Sequence, residues 1–122
     1  MKNPDYTTTG VRRIVRATES TLAGLAAAVR HEAAFRQELL LAAIFIPLGL
    51  FLGESGVERA VLIGSVLGLL VVELLNTAVE ATVDRVSTDL HPVSKRAKDL
   101  ASAAVGLALV SVIAIWALVL LT

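Results

Sequence analysis

The last 23 residues of the chain, 100–122, contain no charged side chain. At about 1.5 Å per residue, a helix of this length exceeds the roughly 30 Å hydrocarbon core of a bilayer. Of the 122 residues, 56% are hydrophobic but only 4% are aromatic, which is too apolar for a small soluble domain. The run therefore predicts a membrane-spanning helix, within a single integral membrane domain covering residues 1–122.

Two further apolar segments, at about 33–53 and 60–83, are long enough to predict two more spans. Pro47 lies inside the first of them, which is tolerated in a membrane helix. Residues 11–30 carry apolar side chains at three- and four-residue steps, with basic residues on the other faces. This pattern favours an amphipathic helix on the membrane surface over a helix packed on a soluble core. The predicted fold is all-α, with three transmembrane helices and an N-terminal amphipathic surface helix.

Basic residues are concentrated before the first predicted span and between the second and third spans. They are Arg12, Arg13, Arg16, Arg30, Arg36, Arg85, Lys95, Arg96 and Lys98. The loop between the first two spans contributes only Arg59. By the positive-inside rule, the N-terminus is expected to be cytoplasmic and the C-terminus to lie outside. The polar start of the chain, residues 1–10, does not predict a cleavable signal peptide.

Composition and motifs exclude several classes of function. The net charge is zero, which argues against a nucleic-acid partner. The absence of cysteine excludes thiol chemistry and cysteine-based metal sites. The phosphate-binding motifs of soluble nucleotide enzymes and the H-E-x-x-H zinc motif are also missing. His31 and His91 stand alone, as surface or packing histidines usually do.

The most informative residues are four polar side chains on the second predicted span. Glu73, Asn76, Glu80 and Asp84 fall within about 80° on one helix face. An ionisable group at the bilayer centre costs about 2.5–3.5 kcal/mol, so these side chains should face a cavity, a partner helix or a cation. The alternative is a polar packing seam between subunits, with protonated carboxyl groups.

Two other polar clusters are expected at the same cytoplasmic depth. One lies near the start of the first span and the other near the start of the third; their members are Glu32, Arg36, Gln37, Glu38, Lys95, Arg96, Lys98 and Asp99. Each cluster alone is typical of a juxtamembrane anchor. Together with the acidic face, two carboxylates and a lysine could hold a divalent cation with phosphate oxygens.

Three strings carry a resemblance to a known family: Glu32-Ala-Ala-Phe-Arg-Gln-Glu38, residues 73–85, and Arg96-Ala-Lys-Asp99 followed by Ser102-Ala-Ala. From about Arg12 to its end, the chain resembles the prokaryotic diacylglycerol kinases. The resemblance implies a homotrimer in the bacterial inner membrane, with active sites shared between neighbouring subunits. It also implies transfer of the γ-phosphoryl group of ATP, with Mg²⁺, to diacylglycerol, giving phosphatidic acid.

The resemblance further implies roles for individual residues. Glu73 corresponds to the general base, with Asn76 beside it, and Glu32 and Glu80 correspond to metal-binding carboxylates. The positions that match nucleotide contacts are Arg13, Glu32, Glu80, Asp89, His91, Lys98 and Asp99. The positions that match lipid contacts are Arg13, Ala34, Phe35, Arg36, Gln37, Glu38, Glu73, Ser102 and Trp116.

Departures from the family pattern leave the lipid open. Ser20 and Leu90 stand where other members often carry tyrosine, and Lys95 stands in place of a frequent glycine. The string from His91-Pro92 to Asp99 also resembles the undecaprenol kinase branch, so undecaprenol is the alternative substrate.

Two other classes of function remain as alternatives. One is a proton or cation pathway, although the polar groups gather at one face and nothing polar is expected to continue through residues 62–72. The other is a non-catalytic oligomeric membrane protein. Its helices would meet at pairs of small residues spaced four apart: Gly49 and Gly53, Gly64 and Gly68, and Ser102 and Gly106.

Overall fold

The computed structural model describes residues 10–86 and 91–122, which contain no strand. Four helices follow one another: α1 (Val11–His31), α2 (Ala33–Leu52), α3 (Gly56–Val86) and α4 (Pro92–Leu121). The last three are each long and apolar enough to cross a membrane. The predicted all-α fold with three spans is therefore confirmed. Since α3 and α4 have 31 and 30 residues, each measures about 45 Å and extends beyond the hydrocarbon core.

A single residue separates α1 from α2. Glu32 is extended (φ −116°, ψ 106°), and its amide N–H still donates to Ala28 O at 2.9 Å. Arg36 closes the junction, because its Nη1 donates to Val29 O at 2.8 Å and to Arg30 O at 3.3 Å. A cation at a helix C-terminus satisfies carbonyls that lack partners within the helix. The junction therefore orients α1 relative to the first span.

The helices α2 and α3 pack antiparallel along two regular lines of buried residues. On α2 the line consists of Phe35, Ala42 and Gly49, spaced seven apart. On α3 it consists of Leu62, Val66, Leu69 and Glu73, spaced four, three and four apart, which is one face of a helix. Gly49 permits a close approach within this interface, since a Cβ at this position would lie 3.3 Å from Leu62 Cβ.

Capping interactions fix the turn between α2 and α3. The Glu58 N–H donates to Ser55 Oγ at 3.1 Å, and Glu58 Oε1 accepts from the Glu54 N–H at 3.4 Å. Arg59 Nε reaches back to donate to Leu50 O at 3.0 Å, near the end of α2. The adjoining ends of these two helices are thus tied together by side chains that complete the helix termini.

The helix α4 runs alongside α3 but buries none of its own residues in this chain. Leu107, Ile113 and Leu118 each expose about two-thirds of their surface. The helix α1 also exposes apolar side chains, including Val11 and Leu22. Such surfaces suit contact with lipid or with further copies of the chain.

Candidate active site

The candidate site lies where Glu73 of α3 contacts α2, the first span. Glu73 is 6% exposed, the one charged residue that is fully buried among the described residues. Its carboxyl group lies within hydrogen-bonding reach of the carboxyl group of Glu38 on α2. Two carboxyl groups in contact can share a proton, so the pair can both accept and hold one.

Two polar atoms at this site, one from Glu38 of the pair and one from the neighbouring Asn76, have no hydrogen-bond partner within 10–86 and 91–122. Glu38 Oε2 and Asn76 Oδ1 are buried without a hydrogen-bond partner among the residues described. The amide of Asn76 is also oriented by its neighbour, since Nδ2 donates to Glu80 Oε1 at 3.5 Å. Unpaired buried polar atoms are rare, and each one points to a missing ligand or partner. The site therefore leaves two buried hydrogen-bonding positions without a partner among the described residues.

A cleft of about 610 Å³ lies between α1 and α3, on the side of the bundle where Glu32 separates the first two helices. Ser20 and Gly24 line it from α1, Glu32 lines it at the junction, and Thr77 and Ala78 line it from α3. Its size is within the range of about 300–1,000 Å³ typical of small-molecule sites. The cleft brings Glu32 next to the part of α3 that carries Glu80.

The two predicted metal ligands, Glu32 and Glu80, are both half-buried. Within 10–86 and 91–122, no three His, Cys, Asp or Glu side chains are grouped closely enough to hold a metal ion. Mg²⁺ usually binds through one or two carboxylates together with substrate phosphates, so this donor set fits it only when phosphate is also bound. The unpaired Asn76 Oδ1, beside Glu80, is a further oxygen of the hard type that Mg²⁺ prefers.

Ion pairs hold the predicted nucleotide-binding side chains at the start of α4. Lys98 Nζ lies 2.5 Å from Asp84 Oδ1 of α3, and Lys95 Nζ lies 2.7 Å from Asp99 Oδ2 one turn away. His91 caps the helix, since its Nδ1 accepts from the Val93 N–H at 3.1 Å. All these groups are partly or fully exposed, on the end of the bundle that carries Glu80.

The remaining predicted contacts are dispersed. Phe35 is buried at 2% exposure, and Trp116 lies toward the opposite end of the bundle, with its indole N–H bonded inside the chain. The other predicted lipid-contacting residues are exposed on α1, α2 and α4: Arg13, Ala34, Arg36, Gln37 and Ser102. Asp89 and Leu90 lie outside the described residues.

Sequence reasoning gave no role to two residues that the structure connects to the predicted set. Asp84 was recognised as part of the acidic face, but its pairing with Lys98 depends on how α3 and α4 pack. Ser65 lies within residues 62–72, which were expected to carry nothing polar, and bonds to Trp116. Neither contact could be predicted from spacing along one helix.

The family model for "Prokaryotic diacylglycerol kinase" matches residues 19–120 of this chain. The chain belongs to this family. Among its relatives, the diacylglycerol kinase of Pseudomonas aeruginosa is 53% identical, covering 93% of this chain and 92% of the relative. That of Haemophilus influenzae is 48% identical over 91% of this chain and 94% of its own, and that of Escherichia coli K12 is 41% identical over 93% of each. The resemblance identified from the sequence is thereby confirmed.

Proposed function

We propose that this protein transfers the γ-phosphoryl group of ATP to the hydroxyl group of diacylglycerol, forming phosphatidic acid and ADP. The observation that carries the proposal is the buried Glu73, in contact with Glu38 and next to two polar atoms without protein partners. Membership of a kinase family whose curated relatives are named diacylglycerol kinase supports the same reaction.

In the proposed reaction, the Glu73 carboxylate accepts the proton of the lipid hydroxyl as its oxygen attacks the γ-phosphorus. The bond between the γ-phosphorus and the bridging oxygen breaks, and ADP leaves. Phosphoryl transfer requires alignment and charge neutralisation more than covalent catalysis by the protein. Glu38 is placed to share the proton that Glu73 takes up, and Asn76 offers a carbonyl oxygen beside it.

The cleft between α1 and α3 is the proposed nucleotide site. Ser20 and Glu32 line it, although Ser20 differs from the tyrosine frequent in the family. Lys98 would neutralise phosphate charge from the neighbouring end of α4, with Arg13, Asp89, His91 and Asp99 as further proposed contacts. The ion pair between Lys98 and Asp84 supports this arrangement by keeping the lysine beside the acidic face of α3.

Mg²⁺ is the proposed cofactor, held by Glu32 and Glu80 together with phosphate oxygens. When bound, it would supply positive charge against the phosphate oxygens and hold the nucleotide in place. Because the carboxylates would repel the phosphates of metal-free ATP, the proposed site should bind ATP only as its Mg²⁺ complex.

The proposed location is the bacterial inner membrane, with the N-terminus and the active site at the cytoplasmic face. The distribution of basic residues between loops supports this orientation. The proposed assembly is a homotrimer in which neighbouring subunits complete each site. Two buried polar atoms without partners and the unburied α4 support a site that one chain does not close.

A proton or cation pathway agrees less well with the contacts. Outward from Glu73, the buried face of α3 continues through Leu69, Val66 and Leu62, which are all apolar. Ser65 is the polar residue of this stretch, and its hydroxyl already donates to Leu62 O at 2.7 Å. A conducting path would need polar groups through the full depth of the bundle.

The decisive experiment supplies purified protein in mixed micelles with MgATP and either diacylglycerol or undecaprenol. We expect phosphorylated diacylglycerol and much slower phosphorylation of undecaprenol. The opposite preference would assign the chain to the alternative substrate, and no phosphorylated lipid in either assay would overturn the kinase proposal.

Replacement of the base tests the mechanism. Glu73→Gln should lower kcat by about 10²–10⁴-fold, the usual contribution of a general base, with little change in the helix content. Glu54→Gln is the matched control, because Glu54 is an exposed carboxylate at the opposite end of the bundle. Near wild-type turnover by Glu73→Gln would require a different base.

A further inference from the structure

We propose that Trp116 is a positioning residue: its indole, held by Leu62 and Ser65, fixes the rotation and register of α3 at which Glu73 meets Glu38. The inference rests on the proposed function, because Glu73 is the base of that reaction. Trp116 does not touch the reacting atoms. It acts through α3 from the opposite end of the bundle.

The indole makes a well-defined contact between α4 and α3. Trp116 Nε1 donates to Leu62 O at 3.2 Å and to Ser65 Oγ at 3.1 Å. The Ser65 hydroxyl donates to the same Leu62 carbonyl at 2.7 Å, so the three groups form a closed set. A donor shared between two acceptors on adjacent turns of α3 is directional and opposes rotation of that helix about its axis.

The same indole also contacts α2. The ring of Phe45 meets the ring of Trp116 edge to face, with centroids 5.3 Å apart and planes at 85°. A Cβ at Gly49 would lie 3.3 Å from Leu62 Cβ and 3.5 Å from the Trp116 ring, so only glycine gives this spacing without displacement. Trp116 thus holds three helices at one level, which we call the Trp116 anchor (Phe45, Gly49, Leu62, Ser65 and Trp116).

The anchor and the acidic pair are in register. Gly49 faces Leu62, and Glu38 faces Glu73. On α2 the step from Gly49 to Glu38 is eleven residues, and on α3 the step from Leu62 to Glu73 is also eleven residues. Because the helices are antiparallel and rise equally per residue, the contact at the anchor and the contact at the carboxyl pair follow from one alignment.

The rotation of α3 about its axis also links the anchor to the acidic pair. Eleven residues turn a helix by three full turns and about 20°, so Leu62 and Glu73 point in nearly the same direction, about 16 Å apart along the axis. The buried residues Val66 and Leu69 continue this face between them. On the face of α3 that carries Gly64 and Gly68, a Cβ would meet no described atom within 4 Å, so this face contributes little resistance to rotation.

A small error in this rotation should affect turnover rather than substrate binding. Displacement of a reacting group by about 1 Å can cost about 10²-fold in rate. The cleft and the Lys98–Asp84 ion pair lie at the other end of the bundle, so nucleotide binding should not depend on the anchor. We therefore expect Trp116→Phe to lower kcat about tenfold and Ser65→Ala about threefold, with the KM values for MgATP and lipid unchanged.

The experiment compares Trp116→Phe, Ser65→Ala and the double variant in mixed micelles, with kcat expressed per folded protein. Trp116→Phe retains a ring against Phe45 and removes only the donor and one ring of the indole. Because both changes remove the same bond, the double variant should be no slower than Trp116→Phe alone. Ser111→Ala is the matched control, since the Ser111 hydroxyl bonds only to Leu107 O within α4; its kcat should equal that of the wild type.

A spectroscopic measurement that does not require kinase activity completes the test. Trp116 is the single tryptophan of the chain, so its emission should shift to the blue in Ser65→Ala and stay unchanged in Ser111→Ala. A lower thermal midpoint with unchanged kcat in Trp116→Phe would overturn the positioning role, and a raised lipid KM with unchanged kcat would assign Trp116 to lipid contact instead. A wild-type protein that phosphorylates no lipid would overturn the proposed function and this inference together. An unshifted emission would overturn the anchor alone.

Discussion

At the end of the bundle that carries the turn between α2 and α3 (the turn end), polar side chains bond within the chain, whereas at the end that carries Glu73 (the Glu73 end) two buried polar atoms have no partner among the described residues. The Trp116 N–H and the Ser65 hydroxyl bond to each other and to Leu62 O, and Arg59 bonds to the end of α2. Around Glu73, the atoms Glu38 Oε2 and Asn76 Oδ1 stay buried without a partner among the described residues.

This difference separates an end whose polar groups are satisfied from the end that carries the proposed active site. A buried polar atom without a hydrogen bond costs about 1–3 kcal/mol on the evidence of protein mutants. Such a cost persists in a protein when another molecule or subunit supplies the missing bond. We therefore expect the turn end to contribute more to stability than the Glu73 end, where the proposed active site lies.

The largest expected effect on stability is at the turn end. Leu62 is fully buried between α2 and α4, so Leu62→Ala should lower the free energy of unfolding by about 2–5 kcal/mol. Denaturant titration of the protein in detergent micelles, followed by circular dichroism, measures this change. Leu121→Ala is the control, because Leu121 is 81% exposed, and it should change the free energy by no more than about 0.5 kcal/mol. Equal losses in the two variants would show that packing at the turn end adds no stability of its own.

At the Glu73 end, removal of a polar group should change the free energy of unfolding in the opposite direction. Asn76→Leu removes the unpaired Oδ1 and should raise the free energy of unfolding by about 1 kcal/mol, while kinase activity falls at least tenfold. Ser65→Ala, in which a satisfied hydroxyl is lost, should lower it by about 1 kcal/mol in the same titration. If Asn76→Leu destabilised the protein as Ser65→Ala does, the two ends would not differ as described.

The smallest expected effect concerns the ion pair between α3 and α4. Lys98 and Asp84 expose 42% and 60% of their side chains, so solvent screens the pair. Asp84→Asn should lower the free energy of unfolding by less than about 1 kcal/mol, and less at high salt. Lys95→Gln, which breaks the more exposed pair with Asp99, should have a smaller effect still. If Asp84→Asn lowered the free energy of unfolding by several kcal/mol, the ion pair would have to be part of a buried network, which contradicts its solvent exposure.

The fold was predictable because uncharged runs and loop charges are properties of single segments. The count of helices long enough to span a membrane, the amphipathic first helix and the presence of Pro47 inside α2 all follow from local sequence. The acidic face of α3 was also visible in the spacing of Glu73, Asn76 and Glu80. The helices, however, extend beyond the apolar runs. Hydropathy identifies only the apolar part of each helix, and the polar turns at its ends are also helical.

The contacts between helices were not predictable from the sequence. The pairing of Glu38 with Glu73 requires the antiparallel register that Gly49 and Leu62 set, and spacing along either helix alone does not contain it. Likewise, Arg36 belongs to a cluster of charges in the sequence, but in the structure it caps the end of α1. The family resemblance identified the candidate residues, but the contacts between them are seen only in the packed structure.

That no residue of α4 is buried bears on how the chain enters the membrane. Since α4 has no charged residue after Asp99, it can partition into lipid without help from a neighbour. The preceding span carries Glu73 and Glu80, and each would lower the probability of insertion if the span left the translocation channel alone. Synthesis of α4 directly after α3 supplies a strongly apolar segment next to it, so we expect α4 to stabilise the membrane position of the helix that carries the proposed base.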